Sequence, residues 1–195
     1  MDFDDFSEDY SGRVNEALSK LPAAPLRKLS ESLMRVWRSG SQVFLFGNGG
    51  SAGNASHIAN DLFYGTAGRN GKGLRAHALA ANTALLTCLA NDEGYERIFS
   101  KQLSVLAVPG DLAIALSGSG ASANVIQALQ HCRHGGIETA AILGFDGGEA
   151  KAIANIAIHV PVDDMQISED LQLIVGHMMM RWLCAHGPRF YGDQS

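Results

Sequence analysis

The sequence predicts a doubly wound α/β fold, a five-stranded parallel sheet preceded by a helical hairpin. Three observations carry that reading. Five short apolar runs, Gln42–Phe46, Arg75–Leu79, Leu112–Leu116, Thr139–Leu143 and Ile156–Val160, are separated by helical stretches. The runs lack a clean apolar–polar alternation, as strands buried on both faces of a parallel sheet do. Two of them end in turns of small residues, Gly47-Asn48-Gly49-Gly50-Ser51 and Ser117-Gly118-Ser119-Gly120-Ala121-Ser122, and each turn opens a helix. Strand, loop and helix in that order are the unit of a doubly wound sheet.

The elements follow in order. Phe3, Phe6, Tyr10, Val14, Leu18 and Leu21 recur at three- and four-residue steps, the spacing of one helical face. Pro22 and Pro25 break that helix. Leu26, Leu29, Leu33 and Val36-Trp37 predict a second helix, stopped near Gly40. Further helices are expected near Ala52–Tyr64, Thr83–Ala90, Tyr95–Leu106, Ser122–His134 and Ser168–Ala185. No interdomain linker interrupts the series. The expected organisation is one domain over 1–195, with N-terminal helices at 1–40, an α/β core at 41–186 and a loose polar tail at 187–195.

Composition narrows the class. With 195 residues and 46% hydrophobic content, the chain is long and apolar enough for a full core. A net charge of −5 gives no general pull toward nucleic acid, so direct nucleic-acid binding is not expected. No apolar run reaches the ~18 residues of a membrane span. The acidic start MDFDDFSEDY has no apolar signal-peptide core. Cys88, Cys132 and Cys184 are odd in number and form no CxxC, which reads as reduced thiols in a cytoplasmic protein.

The turn after the first strand opens a helix whose N-terminal N–H groups and dipole favour an anion. It is neither a GxGxxG fingerprint nor a Walker loop. The serine-rich turn offers hydroxyls and backbone N–H groups, a common phosphate cradle. Both leave the carboxyl ends of strands, where ligands of such sheets sit. Neither loop contains Lys or Arg, which suits a monophosphate better than a triphosphate. His57 and Asp61, four residues apart, share a helical face. The last helix adds Glu169, Asp170 and His177 to an otherwise apolar stretch. There a histidine is either a satisfied core residue or a tuned acid–base group. His57, Asp61, Glu169 and His177 together have the residue types of a zinc site. Glu169 and His177 lie ~12 Å apart along a straight helix. Either the helix starts after Glu169, or a neighbouring subunit supplies one ligand. Asn91-Asp92 reads locally as a turn and N-cap.

Four segments, GNGGSAGNASHIANDL, LANDEGYERIFSKQL, SGSGASANVIQAL and EDLQLIVGH, together resemble the sugar isomerase (SIS) domain family, specifically its phosphoheptose isomerase branch. The resemblance implies a flavodoxin-like sheet, a homotetramer with inter-subunit active sites and often a bound zinc. It implies conversion of sedoheptulose 7-phosphate to a glycero-manno-heptose 7-phosphate through an enediol. Carried over by position, Asn48, Gly49, Gly50 and Ser51 contact the sugar phosphate. Ser117, Gly118, Ser119 and Ser122 hold its phosphate, and Asn91, Asp92 and Glu169 line the sugar site. Asp61 and His177 are the expected catalytic pair, and His57, Asp61, Glu169 and His177 the expected metal ligands. The chain departs from the family's usual Glu at Asp61, Gln at Glu169 and His at Gln172. The alternative within the family is a non-catalytic sugar-phosphate sensor or an adaptor for the bacterial replication initiator.

Overall fold

The computed structural model describes residues 1–67 and 71–189, so 190–195 of the expected tail lie outside the described residues. The N-terminal hairpin is α1 (Phe3–Ser19) and α2 (Ala23–Ser39), parted at Leu21-Pro22. Gly40, with φ 71°, ends α2 in the left-handed conformation that only glycine adopts without strain. The core runs β1 (Gln42–Phe46), α3 (Gly50–Asn60), β2 (Arg75–Ala78), α4 (Thr83–Asp92), α5 (Ser100–Leu106), β3 (Leu112–Ser117), α6 (Ala123–His134), β4 (Glu138–Leu143), α7 (Gly148–Ile153), β5 (Ile156–His159) and α8 (Met165–His186).

The strands are all parallel in the order β2-β1-β3-β4-β5. The chain steps outward from β1 to β2, then returns to pair β3 on the other side of β1. The strand order therefore reverses between β1 and β3, and a crevice opens there above the carboxyl ends. Both faces of the sheet are covered. Leu45, Leu112, Ile114 and Ile142 pack against α2, α3 and α8 through Leu33, Ile58, Val175 and Met179. Phe44, Phe46, Ala113 and Ala141 pack the opposite face with Phe99, Leu103, Val125 and Leu129 of α5, α6 and the turn before α5. Burial on both sides explains the apolar runs without alternation.

Four local features depart from the sequence expectation. The helix after β1 changes at Asp61 into a π-turn over Asp61–Gly65, anchored at its end by buried Thr66, whose hydroxyl donates to the Leu62 carbonyl and accepts from Leu74 N–H. The predicted Tyr95–Leu106 helix is split into a 3-10 turn, Tyr95–Arg97, and α5. A short helix, α7, joins β4 to β5 where none was expected. The last helix starts at Met165, not Ser168, because Asp164 is its N-cap: the carboxylate accepts from Ile167 N–H at 3.1 Å, while Ser168 Oγ donates back to the Asp164 carbonyl.

Asp164 also accepts from Arg13 at 2.5 Å, tying α1 to the start of α8. The Ile167 N–H, foremost, and then the Arg13 guanidinium hold the Asp164 carboxyl below its usual range. A depressed carboxyl pKa stabilises the fold above the unfolded value and stops doing so as pH falls through the folded value. Asp164→Ala is expected to cost about 1 kcal/mol at neutral pH, the usual worth of a cap. In urea melts the gap from wild type should close below about pH 4.

Candidate active site

The β1 and β3 loops meet in the crevice. Asn48, after β1, and Asn124, in the first turn of α6, exchange amide hydrogen bonds of 2.9 and 2.8 Å. The Tyr95 hydroxyl donates to Asn48 Oδ1 at 3.0 Å. Asn124 is 2% exposed and Asn48 partly buried, so this pair is a polar link between the two loops.

The serine loop is built to receive an anion. Ser117 Oγ accepts from Gly120 N–H at 3.0 Å and Ser119 Oγ from Ala121 N–H at 3.3 Å. Because each oxygen is accepting, its hydroxyl proton is left to point at a ligand. Ser122 stands at the N-cap of α6 without making a side-chain cap bond. The loop is held from behind by main chain: Gly144 N–H donates to Gly118 O, and Ala150 N–H to Gly120 O. Gly120 has φ 64°, and a Cβ there would fall 2.0 Å from the Gly147 carbonyl oxygen. Phe145, beside the loop at φ 41°, is fixed by its N–H to Val162 O and by His159 Nε2 against its carbonyl.

His57, Asp61 and His177 converge at the α3–α8 crossing. Gly176 lies so close to Ile58 that an added Cβ would come within 2.5 Å of it. Each of these two residues neighbours one of the histidines in sequence, so the close approach brings the imidazoles together. The Nε2 atoms of His57 and His177 are 2.9 Å apart, with the rings edge-on at 71°. Asp61 Oδ2 lies 3.4 Å from His177 Nε2 and 3.6 Å from His57 Nε2. Four ligands around a zinc-sized ion at ~2.05 Å would stand about 3.3 Å from one another. The three observed separations bracket that edge, so the trio fits a small divalent metal with a fourth position open. His57 and His177 are about half exposed and Asp61 less so, which leaves the cluster open to solvent.

Other predicted residues fall elsewhere. Glu169 does not join the trio within one chain: among the described residues the metal-type group is His57, Asp61 and His177. The reason is the continuity of α8, which runs unbroken from Met165 and keeps Glu169 two turns from His177. Its carboxylate instead lies over Gly50, where an added Cβ would meet it at 2.2–2.4 Å. The Ser51 hydroxyl is turned into the protein, accepting from Gln172 Nε2 at 3.0 Å, so its part in a ligand site is left to its backbone N–H. Asn91 and Asp92 end α4 at the surface, joined to each other by a 2.7 Å hydrogen bond. The sequence reading did not single out Asn54, Asn124 or Tyr95 as site residues, and it noted Gln172 only as a departure. A signal existed for Gln172, an amide in the apolar stretch Leu171–Val175.

Sheet, loops and cluster define the class: a doubly wound α/β protein with an uncharged phosphate-type loop at its switch point and a His/carboxylate group at the α3–α8 crossing. Comparison with known proteins narrows it. Residues 8–144 match the SIS domain. The phosphoheptose isomerase of Trichlorobacter lovleyi is 39% identical over 156 residues, covering 80% of this chain and 79% of its own. That of Aquifex aeolicus is 37% identical, with 87% and 88% covered. The chain belongs to the SIS-domain family, in its phosphoheptose isomerase branch. The solved phosphoheptose isomerase of Neisseria gonorrhoeae superposes with a TM-score of 0.85 at 26% identity, covering 94% of this chain and 98% of that one.

The crossing that assembles the trio is open to test. Gly176→Ala is expected to cost about 1–3 kcal/mol from overpacking against Ile58. It should also weaken Co²⁺ binding, read by visible absorption, because it pushes the two histidines apart.

Proposed function

We propose that this protein is an aldose–ketose isomerase acting on sedoheptulose 7-phosphate and yielding D-glycero-D-manno-heptose 7-phosphate. The single observation that carries the reading is the His57–Asp61–His177 cluster, in a fold whose β3 loop is a serine-rich phosphate cradle. Family membership supports the substrate class. Ser117, Ser119 and Ser122, with the N–H groups at the start of α6, receive the phosphate. The extended sugar then runs past Asn48, Gly49 and Gly50 toward the trio, with C1 and C2 beside it.

Isomerisation moves one proton from C1 to C2 and one from O1 to O2. A base removes the C1 proton, the released pair forms the C1–C2 double bond, and O2 takes a proton. The enediol then gives up the O1 proton and accepts one at C2. Asp61 and His177 divide these transfers, one serving carbon and the other oxygen. Such positioned transfer contributes typically ~10²–10⁴-fold. His57, Asp61 and His177 are also the residues that would hold a zinc ion, which when bound polarises the carbonyl and stabilises negative charge on the enediolate oxygens.

The active unit in this reading is a homotetramer with its sites between subunits, working in the cytoplasm. Two features support that assembly. Helix α4 is largely apolar yet has no buried residue, although Asn91 and Asp92 sit at its end. Phe63 and Tyr64, two and three residues after Asp61, are 58% and 76% exposed. A partner copy covering these surfaces would bring Asn91, Asp92 or Glu169 to a neighbouring site.

Incubation with sedoheptulose 7-phosphate, followed by NMR with and without zinc, tests the reaction. His177→Ala should lose at least ~10²-fold in kcat while still binding sugar phosphate. Unchanged turnover would remove His177 from the mechanism. Ser119→Ala should act mainly on KM. Light scattering on a size-exclusion column should give four times the chain mass, and a monomer would sink the inter-subunit arrangement.

A further inference from the structure

The contact that sets α3 against α8 is not only apolar. Gln172 is 1% exposed, and its amide reaches two residues of α3. Its Nε2 donates to Ser51 Oγ at 3.0 Å, and its Oε1 accepts from Asn54 Nδ2 at 3.0 Å. Asn54 Nδ2 also donates to the Glu169 carbonyl at 2.9 Å. The orientation of the whole chain of bonds follows from that last one. A backbone carbonyl only accepts, so Asn54 must present its NH₂ group to α8. Gln172 must then offer oxygen to Asn54 and nitrogen to Ser51.

The placement of this bridge matters more than its strength. Ser51 is the residue after Gly50 in the glycine turn, and Asn54 precedes His57 by three residues. Gln172 precedes His177 by five. The bridge therefore joins the turn end of α3 to α8 one to two turns from the paired imidazoles, while Gly176 against Ile58 sets the distance at the crossing itself. The glycine contact fixes how closely the helices approach. It does little to stop one helix from sliding or rotating along the other. Directional hydrogen bonds from a buried side chain do stop that, because any slip leaves polar groups unpaired inside the protein.

We infer that Gln172, through Asn54 and Ser51, is a positioning residue for the His57–Asp61–His177 cluster: it holds the register of α3 on α8 that brings the three ligating atoms together. The inference rests on the isomerase reading for its consequence in turnover, but not for its geometry. The Gln172 side chain hydrogen-bonds to Asn54 and Ser51 and not to the trio or the serine loop, so its loss should act on the reacting end of the ligand and spare the phosphate end.

The test compares wild type with Gln172→Leu, which keeps side-chain bulk and removes both bonds. Three readouts are taken: Co²⁺ affinity by absorption titration, the imidazole resonances of His57 and His177 in metal-free protein by long-range ¹H–¹⁵N NMR, and kcat and KM for sugar phosphate. Expected are a Co²⁺ affinity lower by about tenfold or more, shifted imidazole resonances, a reduced kcat and a KM within twofold of wild type. A variant with a lower Tm but unchanged Co²⁺ affinity and imidazole resonances overturns the inference, because Gln172 is then an ordinary buried amide. If Gln172→Leu does not fold, Asn54→Ala decides by the same readouts, since it deletes one of the two α3 partners of Gln172 from a partly buried position. A wild type without turnover sinks the isomerase reading, while the titration and the resonances still decide the role of Gln172.

Discussion

The close packing of α3 on α8 is the constraint from which the active-site geometry follows. Neither helix alone presents more than a histidine and a carboxylate at ordinary spacing. Their crossing, made possible by the missing side chain at Gly176, turns groups 120 residues apart in sequence into a cluster less than 5 Å across. Both helices lie on the same face of the sheet, over Leu45, Ile114 and Ile142. Sheet packing therefore sets the height of the cluster above the strands, and the helix–helix contact sets its width.

The phosphate end is governed by different physics. Its loop contains no lysine or arginine, and its donors are hydroxyls and main-chain N–H groups at a helix start. Neutral donors fixed by the fold need no reorganisation when an anion arrives, and their directionality selects a tetrahedral group. The absence of cations in the loop also keeps attraction modest, which favours release of a product that carries the same phosphate as the substrate.

Much of this was legible in the sequence, for identifiable reasons. The strands were readable because two-sided burial leaves uninterrupted apolar runs, and the loops because small residues cluster where chains turn sharply at strand ends. His57 and Asp61 were readable because i,i+4 spacing is local. What escaped was set by contacts between distant segments. The inward turn of Ser51 depends on Gln172, and the seat of the Glu169 carboxylate over Gly50 depends on how α8 lies against the start of α3. The π-turn at Asp61 changes the backbone hydrogen-bond pattern without a change in composition that marks it. Asn124 and Tyr95 acquire meaning only when the β1 and β3 loops lie side by side.

The main-chain bracing of the serine loop has a consequence for how such a protein diversifies. Gly144 to Gly118 and Ala150 to Gly120 are bonds between peptide groups, and side-chain replacement elsewhere does not delete them. The groups proposed to read the sugar are side chains: Asn48, His57, Asp61, Tyr95 and His177. Mutation can therefore reshape the end that reads the sugar while the seat for its phosphate persists. Heritable change in this architecture has one fixed handle and one adjustable grip, so new substrates are reached by altering what surrounds the carbon chain, under the condition that each still carries a phosphate at its far end.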